Sequence, residues 1–260
     1  MAQQALDTWE WLINVNDGAL APENSYWCLI YINSDGQHAD PEATPGELIL
    51  NNKGDPVVIE HLAVTEAKET LGIWSRPDGS MHDEVQSQKT KAKKWADAVQ
   101  TRHINPTIAW CSVTIMKTIE YPLMATCISR KGMDDIMRPI LQAALPKAAI
   151  QKRFPRKLVL GSLGFQGFGL HHPSNSQLIE HLQAIVTHSH HDSPSHNLHL
   201  QNLELVQCYV RSELPFWDLP YQLHGHLAPK GWIQFTWEEL SATKLSLRGP
   251  LGYYSFQLRI

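Results

Sequence analysis

The apolar period of this chain changes after Trp74, and that change limits what it can fold into. Before it lie short runs rich in aromatic and β-branched residues. Residues 25–33, with Tyr26, Trp27, Leu29, Ile30, Tyr31 and Ile32, read as a strand. Residues 34–46, dense in Asp, Gly and Pro, read as a loop or hairpin end. Residues 47–50 and 56–61 read as paired strands around the Asn51-Asn-Lys-Gly-Asp55 turn. One helix precedes them at 2–16, with Leu6, Trp9, Leu12 and Ile13 on one face, and Asn16-Asp17-Gly18 ends it.

After Trp74 the spacing is helical. Met81, Val85, Ala92, Trp95, Ala96 and Val99 mark a first helix. Asn105-Pro106 opens a second, striped by Ile108, Cys111, Ile115 and Ile119, and Pro122 halts it. Ser129 caps a third, which Pro139 should kink or divide, with Ile136, Ile140, Leu141, Ala144 and Leu145 facing a core. Gly161, Gly164, Gly167 and Gly169 then make a flexible or tightly turned loop. Ser174-x-x-Gln177 reads as a capping box for a helix to about residue 187, through Leu178, Leu182, Ile185 and Val186. A histidine-rich link spans 188–196, and Leu200, Leu203, Leu205 and Val206 continue the helical pattern. The tail clusters Phe216, Trp217, Tyr221, Trp232, Phe235 and Trp237, with a short helix near 232–240 and a strand at the end. The class is α+β, a small mixed region at 1–78 followed by helical regions at 79–173 and 174–260.

With 260 residues, 43% of them hydrophobic, and nine tryptophans, the chain can bury a sizeable core. Its apolar runs are too short to span a bilayer, and no basic segment followed by an apolar one opens it. No membrane partner is expected, and the expected location is intracellular, cytoplasmic or nuclear. Cys28, Cys111, Cys127 and Cys208 form no Cys-x-x-Cys pair and read as buried, reduced thiols.

Charge is distributed unevenly. Residues 86–157 hold fourteen Lys/Arg against four Asp/Glu, a balance of +10 in a chain whose total is −4. A block this basic in an acidic protein points to a polyanion partner. For Lys89, Lys91, Lys93 and Lys94 the plainer reading is a solvated helix face.

The order of short motifs narrows the partner. Gly18-Ala-Leu-Ala-Pro-Glu-Asn-Ser-Tyr-Trp27, Thr70-Leu-Gly-Ile-Trp74, Ala92-x-x-Trp95 and Ile115-Met-Lys-Thr-Ile-Glu-Tyr-Pro122 come first. Ile136-Met-x-Pro-Ile-Leu141, Phe154-Pro-Arg156, Phe165-Gln-Gly-x-Gly-Leu170 and Leu227-Ala-x-x-x-Trp232 follow. In this order they resemble reverse transcriptases of non-long-terminal-repeat-type retroelements, in the segment downstream of the catalytic aspartate pair. The resemblance spans nearly the whole chain. It implies a palm-like remnant at 1–78, a primer-grip-like turn at Leu71, Gly72 and Trp74, and a thumb-like helical region. It also implies phosphate contacts from Lys89, Lys93, Lys94, Arg153, Arg156 and Lys157 to an RNA–DNA or DNA duplex, with the missing polymerase half as a second partner.

Polymerisation in that family needs aspartates holding two divalent metals, and the aromatic-x-Asp-Asp signature is absent here. Gly132-Met-Asp-Asp135 imitates it but aligns with a thumb helix, where paired acids near a helix start stabilise the dipole. A lysine of the family pattern is replaced by Asn24. The segment is therefore expected to have no catalytic residues and no cofactor of its own, magnesium belonging to the catalytic half, and not to polymerise alone.

A different chemistry is offered by Thr187-His-Ser-His-His-Asp192, which resembles the His-x-His-x-Asp-His zinc motif of metallo-β-lactamase-type hydrolases. His188, His190 and Asp192 have the right spacing, Ser193 stands where the last histidine belongs, and His224 and His226 are the available distant ligands. A zinc-dependent hydrolase or metal-binding protein is thus the alternative expectation. No phosphate-cradling Gly-Lys-Ser/Thr loop and no Gly-x-Ser-x-Gly elbow is present.

Overall fold

A computed structural model of the chain describes residues 2–15, 25–32, 38–39, 46–52, 55–101, 112–190, 194–248 and 257–259. They fall into two units, Met1–Asp83 and Glu84–Ile260, in an α+β arrangement.

In the first unit, alternation of side chains builds a three-stranded sheet. Leu50 and Ile59 are buried while their neighbours Ile49 and Val58 are exposed, the period of two that a half-buried sheet requires. β4 (Leu48–Asn52) runs antiparallel to β5 (Asp55–His61), and β1 (Tyr26–Trp27) adds to β5 in parallel, Tyr26 opposite Glu60. The aromatic run at 25–33 is not one strand: it breaks at 28–30, and β2 (Tyr31–Ile32) pairs instead with β3 (His38–Ala39). Helix α1 (Ala2–Val15) docks on the free edge of β4 through one side chain. The Gln3 amide donates to Ile49 O at 2.7 Å and accepts from Ile49 N at 2.9 Å, mimicking a further strand. Trp9, on the expected apolar face of α1, is 63% exposed, as is Trp11. Asn16-Asp17-Gly18 and Asn24 lie outside the described residues.

A hairpin of β6 (Lys68–Thr70) and β7 (Ile73–Ser75) closes the unit. Tyr26 ties it to β1, its hydroxyl 3.0 Å from Thr70 Oγ1 and its ring 5.4 Å from Lys68 Nζ.

Helix α2 (His82–Thr101) runs into the second unit. Its buried stripe is Glu84, Gln88, Ala92, Ala96 and Val99, so the inward face begins polar, with Met81 and Val85 only half-buried. Gln88 Nε2 donates to Glu84 Oε1 at 2.6 Å inside that stripe. Ala96 and Val99 pack on Ala143 of α3 (Arg130–Lys147). Of the stripe expected at 108–119, Ile115 and Ile119 are buried, and Asn105, Pro106, Ile108 and Cys111 lie outside the described residues. That segment ends as expected near Pro122.

Ser129 caps α3, its hydroxyl accepting from Gly132 N. Pro139 does not divide the helix, which runs on through Pro146. Proline removes one backbone bond at a cost of about 3 kcal/mol. Burial of Met133, Ile136 and Met137 before it, and of Ile140, Leu141, Ala144 and Leu145 after it, offsets that loss.

Helix α4 (Pro173–His190) starts and ends differently from the capping-box reading. His172 is the residue before the helix: its Nδ1 accepts from Ser174 N at 3.2 Å, and its carbonyl accepts from Asn175 N at 2.9 Å. Ser174 is inside the helix, and Gln177 turns away from its own backbone to Ile128. Gln177 accepts from Ile128 N at 3.2 Å and donates to Ile128 O at 3.1 Å. One turn on, His181 is fully buried, with Nε2 3.2 Å from Leu123 O and 3.0 Å from Thr126 O. Nε2 faces two acceptors and so carries the proton, leaving Nδ1 for the Thr236 hydroxyl at 3.1 Å. Packed with α4, α5 (Pro194–Val210) and α6 (Trp232–Thr243) bury Leu203, Val206, Val210, Trp237 and Leu240 with Phe216 and Trp217. The aromatic tail is thus core, and Ser246–Arg248 pairs with Gln257–Arg259 as the terminal strands.

The thiols depart from expectation. Cys28 and Cys208 are exposed, and only Cys127 is half-buried, its thiol pushed up to about 11 by burial. Cys111 lies outside the described residues.

Gln177→Ala strands a buried N–H and a buried carbonyl of Ile128 and lowers unfolding free energy by about 3 kcal/mol, measurable by urea denaturation. Burial pushes His181 down to about 4 from an ordinary value near 6.5. The unfolded chain therefore takes up a proton first, so this contribution is complete above pH 6.5 and is lost as pH falls toward 4. It amounts to about 3 kcal/mol. Stability measured at pH 7 and pH 4.5 should fall less for His181→Gln than for the parent; an equal fall would contradict the assignment.

Candidate nucleic-acid interface

Three of the six expected phosphate ligands stand on α2. The buried stripe directs Lys93 and Lys94 outward, and both are exposed. Lys89 lies at the stripe's edge, half-buried, with Nζ 3.3 Å from Asp135 Oδ2. Asp135 also receives Arg138 Nη2 at 2.8 Å. Lys89 is therefore committed to a structural pair, whereas Lys93 and Lys94 keep their charge facing solvent. Trp95, half-buried, packs on the Ala96–Val99–Ala143 cluster rather than presenting a flat face.

The other three come from a tightly folded block between α3 and α4. A turn at 151–154, closed by Phe154 N to Gln151 O at 2.9 Å, leaves Lys152 and Arg153 exposed. A single helical turn, Arg156–Val159, follows, with Lys157 exposed and Arg156 half-buried. The Phe154 ring stacks on Phe168 at 5.4 Å, fastening the turn to the glycine loop behind it.

Arg156 borders a cavity of about 320 Å³ whose wall includes Arg138, Gln142, Asp134 and His172. Its Nη1 is buried and has no hydrogen-bond partner among the described residues. His172 Nε2–H donates to Asp134 Oδ1 at 3.1 Å, the tautomer set by Nδ1 accepting from Ser174 N. The site thus holds two guanidiniums and an amide around one carboxylate that already has a partner.

The acids of Gly132-Met-Asp-Asp135 lie past the first turn of α3, beyond the reach of the helix dipole. They act through side-chain pairs instead, Asp134 with His172 and Asp135 with Lys89 and Arg138.

In the first unit, Leu71 and Gly72 form the two-residue turn of the β6–β7 hairpin, at φ 52° and 81°. Positive φ at both positions is the primed turn that matches strand twist, where Asn-Gly is the favoured pair. A leucine there, 84% exposed, sits against local preference. Trp74 is half-buried on β7.

The histidine motif meets a helix where a zinc hydrolase needs a strand. His188 and His190 are both in the last turn of α4, which extends past residue 187. The His190 side chain and Asp192 lie outside the described residues. His196 Nδ1–H donates to His188 O, and the His188 and His199 rings are 6.2 Å apart. Burial, and then the charges of His188 and His196, lower the pKa of His199. Among the described residues no three His, Cys, Asp or Glu side chains are grouped to hold a metal ion, and no helix is long and apolar enough to cross a membrane.

Arg138, Gln142 and His172 are site residues that sequence reasoning passed over. Arg138 and Gln142 sit one helical turn apart on α3, a signal available in principle. His172 carries no such signal, because its role comes from contact with α3. No protein-family model, curated protein or solved structure matches this chain.

The hairpin generates a further prediction. Leu71→Asn relieves the left-handed strain and raises the stability of the first unit by about 1 kcal/mol, read as an upward shift in its thermal midpoint.

Proposed function

We infer that this chain is a reverse-transcriptase-derived segment that holds nucleic acid by its phosphates, largely independently of sequence. In this reading the sheet and hairpin of the first unit are a palm remnant with a primer-grip-like turn at Leu71, Gly72 and Trp74. The helices of the second unit are the thumb-like region.

The observation that carries it is the set of exposed cations Lys93, Lys94, Arg153 and Lys157, which have no ion-pair partner among the described residues. Arg156, at the wall of the cavity, adds a guanidinium whose paired donors suit two oxygens of a phosphate. The contribution of these cations to binding is electrostatic and does not read bases. Metal-dependent nucleotide transfer is not the role of Asp134 and Asp135, whose carboxylates are engaged by His172, Lys89 and Arg138. Magnesium and the reacting carboxylates belong, in this reading, to the catalytic half of a polymerase, with which the segment would act on an RNA–DNA or DNA duplex.

Simultaneous Lys93→Glu, Lys94→Glu, Arg153→Glu and Arg156→Glu substitution should weaken binding to an RNA–DNA hybrid by about tenfold or more at low salt. The thermal midpoint, measured alongside, separates this from unfolding. Unchanged affinity in a folded variant would reject the assigned face.

A further inference from the structure

The loop that follows the Arg156–Val159 turn holds its most apolar side chains away from the core. Phe165 is 88% exposed and Leu163 75% exposed, both in the short turn Leu163–Phe165. A phenylalanine in this position ordinarily collapses onto the nearest apolar surface. Here the backbone prevents it. Gly169 N donates to Gly161 O at 2.8 Å, Phe168 N to Leu158 O at 2.9 Å, and Gly167 N to Ser162 O at 3.0 Å.

Gly167 is buried so closely against Gly161 that a Cβ would stand 2.2 Å from its carbonyl oxygen, and Gln166 adopts φ 60°. Phe168, by contrast, is stacked on Phe154. Of two phenylalanines three residues apart, the loop anchors one and presents the other.

The presented ring stands on a cation-rich stretch of the chain, with Asp134 and Asp135 before it and Glu180 after it. Residues 136–179 hold six Lys/Arg and no Asp/Glu. The loop is hydrogen-bonded to the turn carrying Lys157, and the Phe154–Phe168 stack fastens it to the turn carrying Lys152 and Arg153. All three cations are exposed. Its chain neighbours Gly164 and Gln166 are exposed and not apolar, and Leu163 is the other exposed apolar residue of the turn. An exposed aromatic ring on a backbone fastened to turns that carry cations matches a nucleotide, whose base stacks while its phosphate pairs.

We propose that Phe165 is a stacking platform for an unpaired base, with Lys152, Arg153 and Lys157 holding the adjoining phosphates. The partner it selects is a single-stranded stretch or overhang next to a duplex. This rests on the phosphate-holding reading above and adds to it a preference that charge alone does not produce.

The test compares the full chain with Phe165→Ala and Phe165→Trp on two labelled probes, a blunt RNA–DNA hybrid and the same hybrid with an eight-nucleotide overhang. Phe165→Ala should weaken binding to the overhang probe by about tenfold and leave the blunt probe within about twofold. Phe165→Trp should restore the overhang affinity, with tryptophan fluorescence quenched on binding. Because the ring is exposed, neither substitution should shift the thermal midpoint. Equal affinity of the alanine variant and the parent for the overhang probe would overturn the platform while leaving the phosphate-holding reading intact. Equal losses on both probes would overturn it too, assigning Phe165 a general role. No binding of either probe at low salt would overturn both, and binding of the parent to phosphatidylserine vesicles alone would reassign the ring to a lipid surface.

Discussion

Two polar side chains on α4 hold together a buried bend of the second unit. Residues 123–125 make a single 3-10 turn and Thr126 turns extended while Leu123, Thr126 and Ile128 are buried, so backbone groups here need partners beyond the turn's own bonds. Gln177 takes both groups of Ile128, and His181 takes the carbonyls of Leu123 and Thr126. Trp232 of α6 takes the carbonyl of Met124 at 3.1 Å. Each is a polar atom spent to bury a bend, and together they fix α4 and α6 against the start of α3. Apolar contacts such as those of Leu182, Ile185 and Trp237 supply the bulk of the burial but leave the register less defined.

The candidate interface depends on that register. With α4 fixed, His172 at its start meets Asp134 on α3 and forms a wall of the cavity that Arg156 borders. The acids of the region then decide which cations remain available. Asp135 engages Lys89 and Arg138, so those two serve the fold. Lys93, Lys94, Arg153 and Lys157 have no such pairing among the described residues and are exposed. A +10 stretch of sequence thus resolves into structural pairs and a smaller free set. The free set is what a phosphate backbone can use.

Much of this was legible from residue order. The apolar period found the helices, Ser129 was recognisable as a cap, and the paired strands around Asn51–Asp55 follow from the turn between them. What escaped was set by tertiary contact. Ser174 and Gln177 have capping spacing, yet Gln177 is used across the core, because the buried backbone of Ile128 outweighs a cap that His172 already provides. Pro139 breaks isolated helices, but this one is buried before and after it. Glu84 and Gln88 look like solvent residues and lie inside, where Gln88 Nε2 donates to Glu84 Oε1. Phe165 is invisible to any periodicity argument, since an aromatic residue ordinarily signals core. Its exposure follows from glycines whose close approach only the folded loop reveals.

Binding of the purified chain to a labelled RNA–DNA hybrid across a series of salt concentrations decides whether its free cations hold nucleic-acid phosphates. With the four free cations engaged, the logarithm of the association constant should fall linearly with the logarithm of salt, with a slope of about −3.6. A slope near zero, or no binding at the lowest salt, would contradict the account.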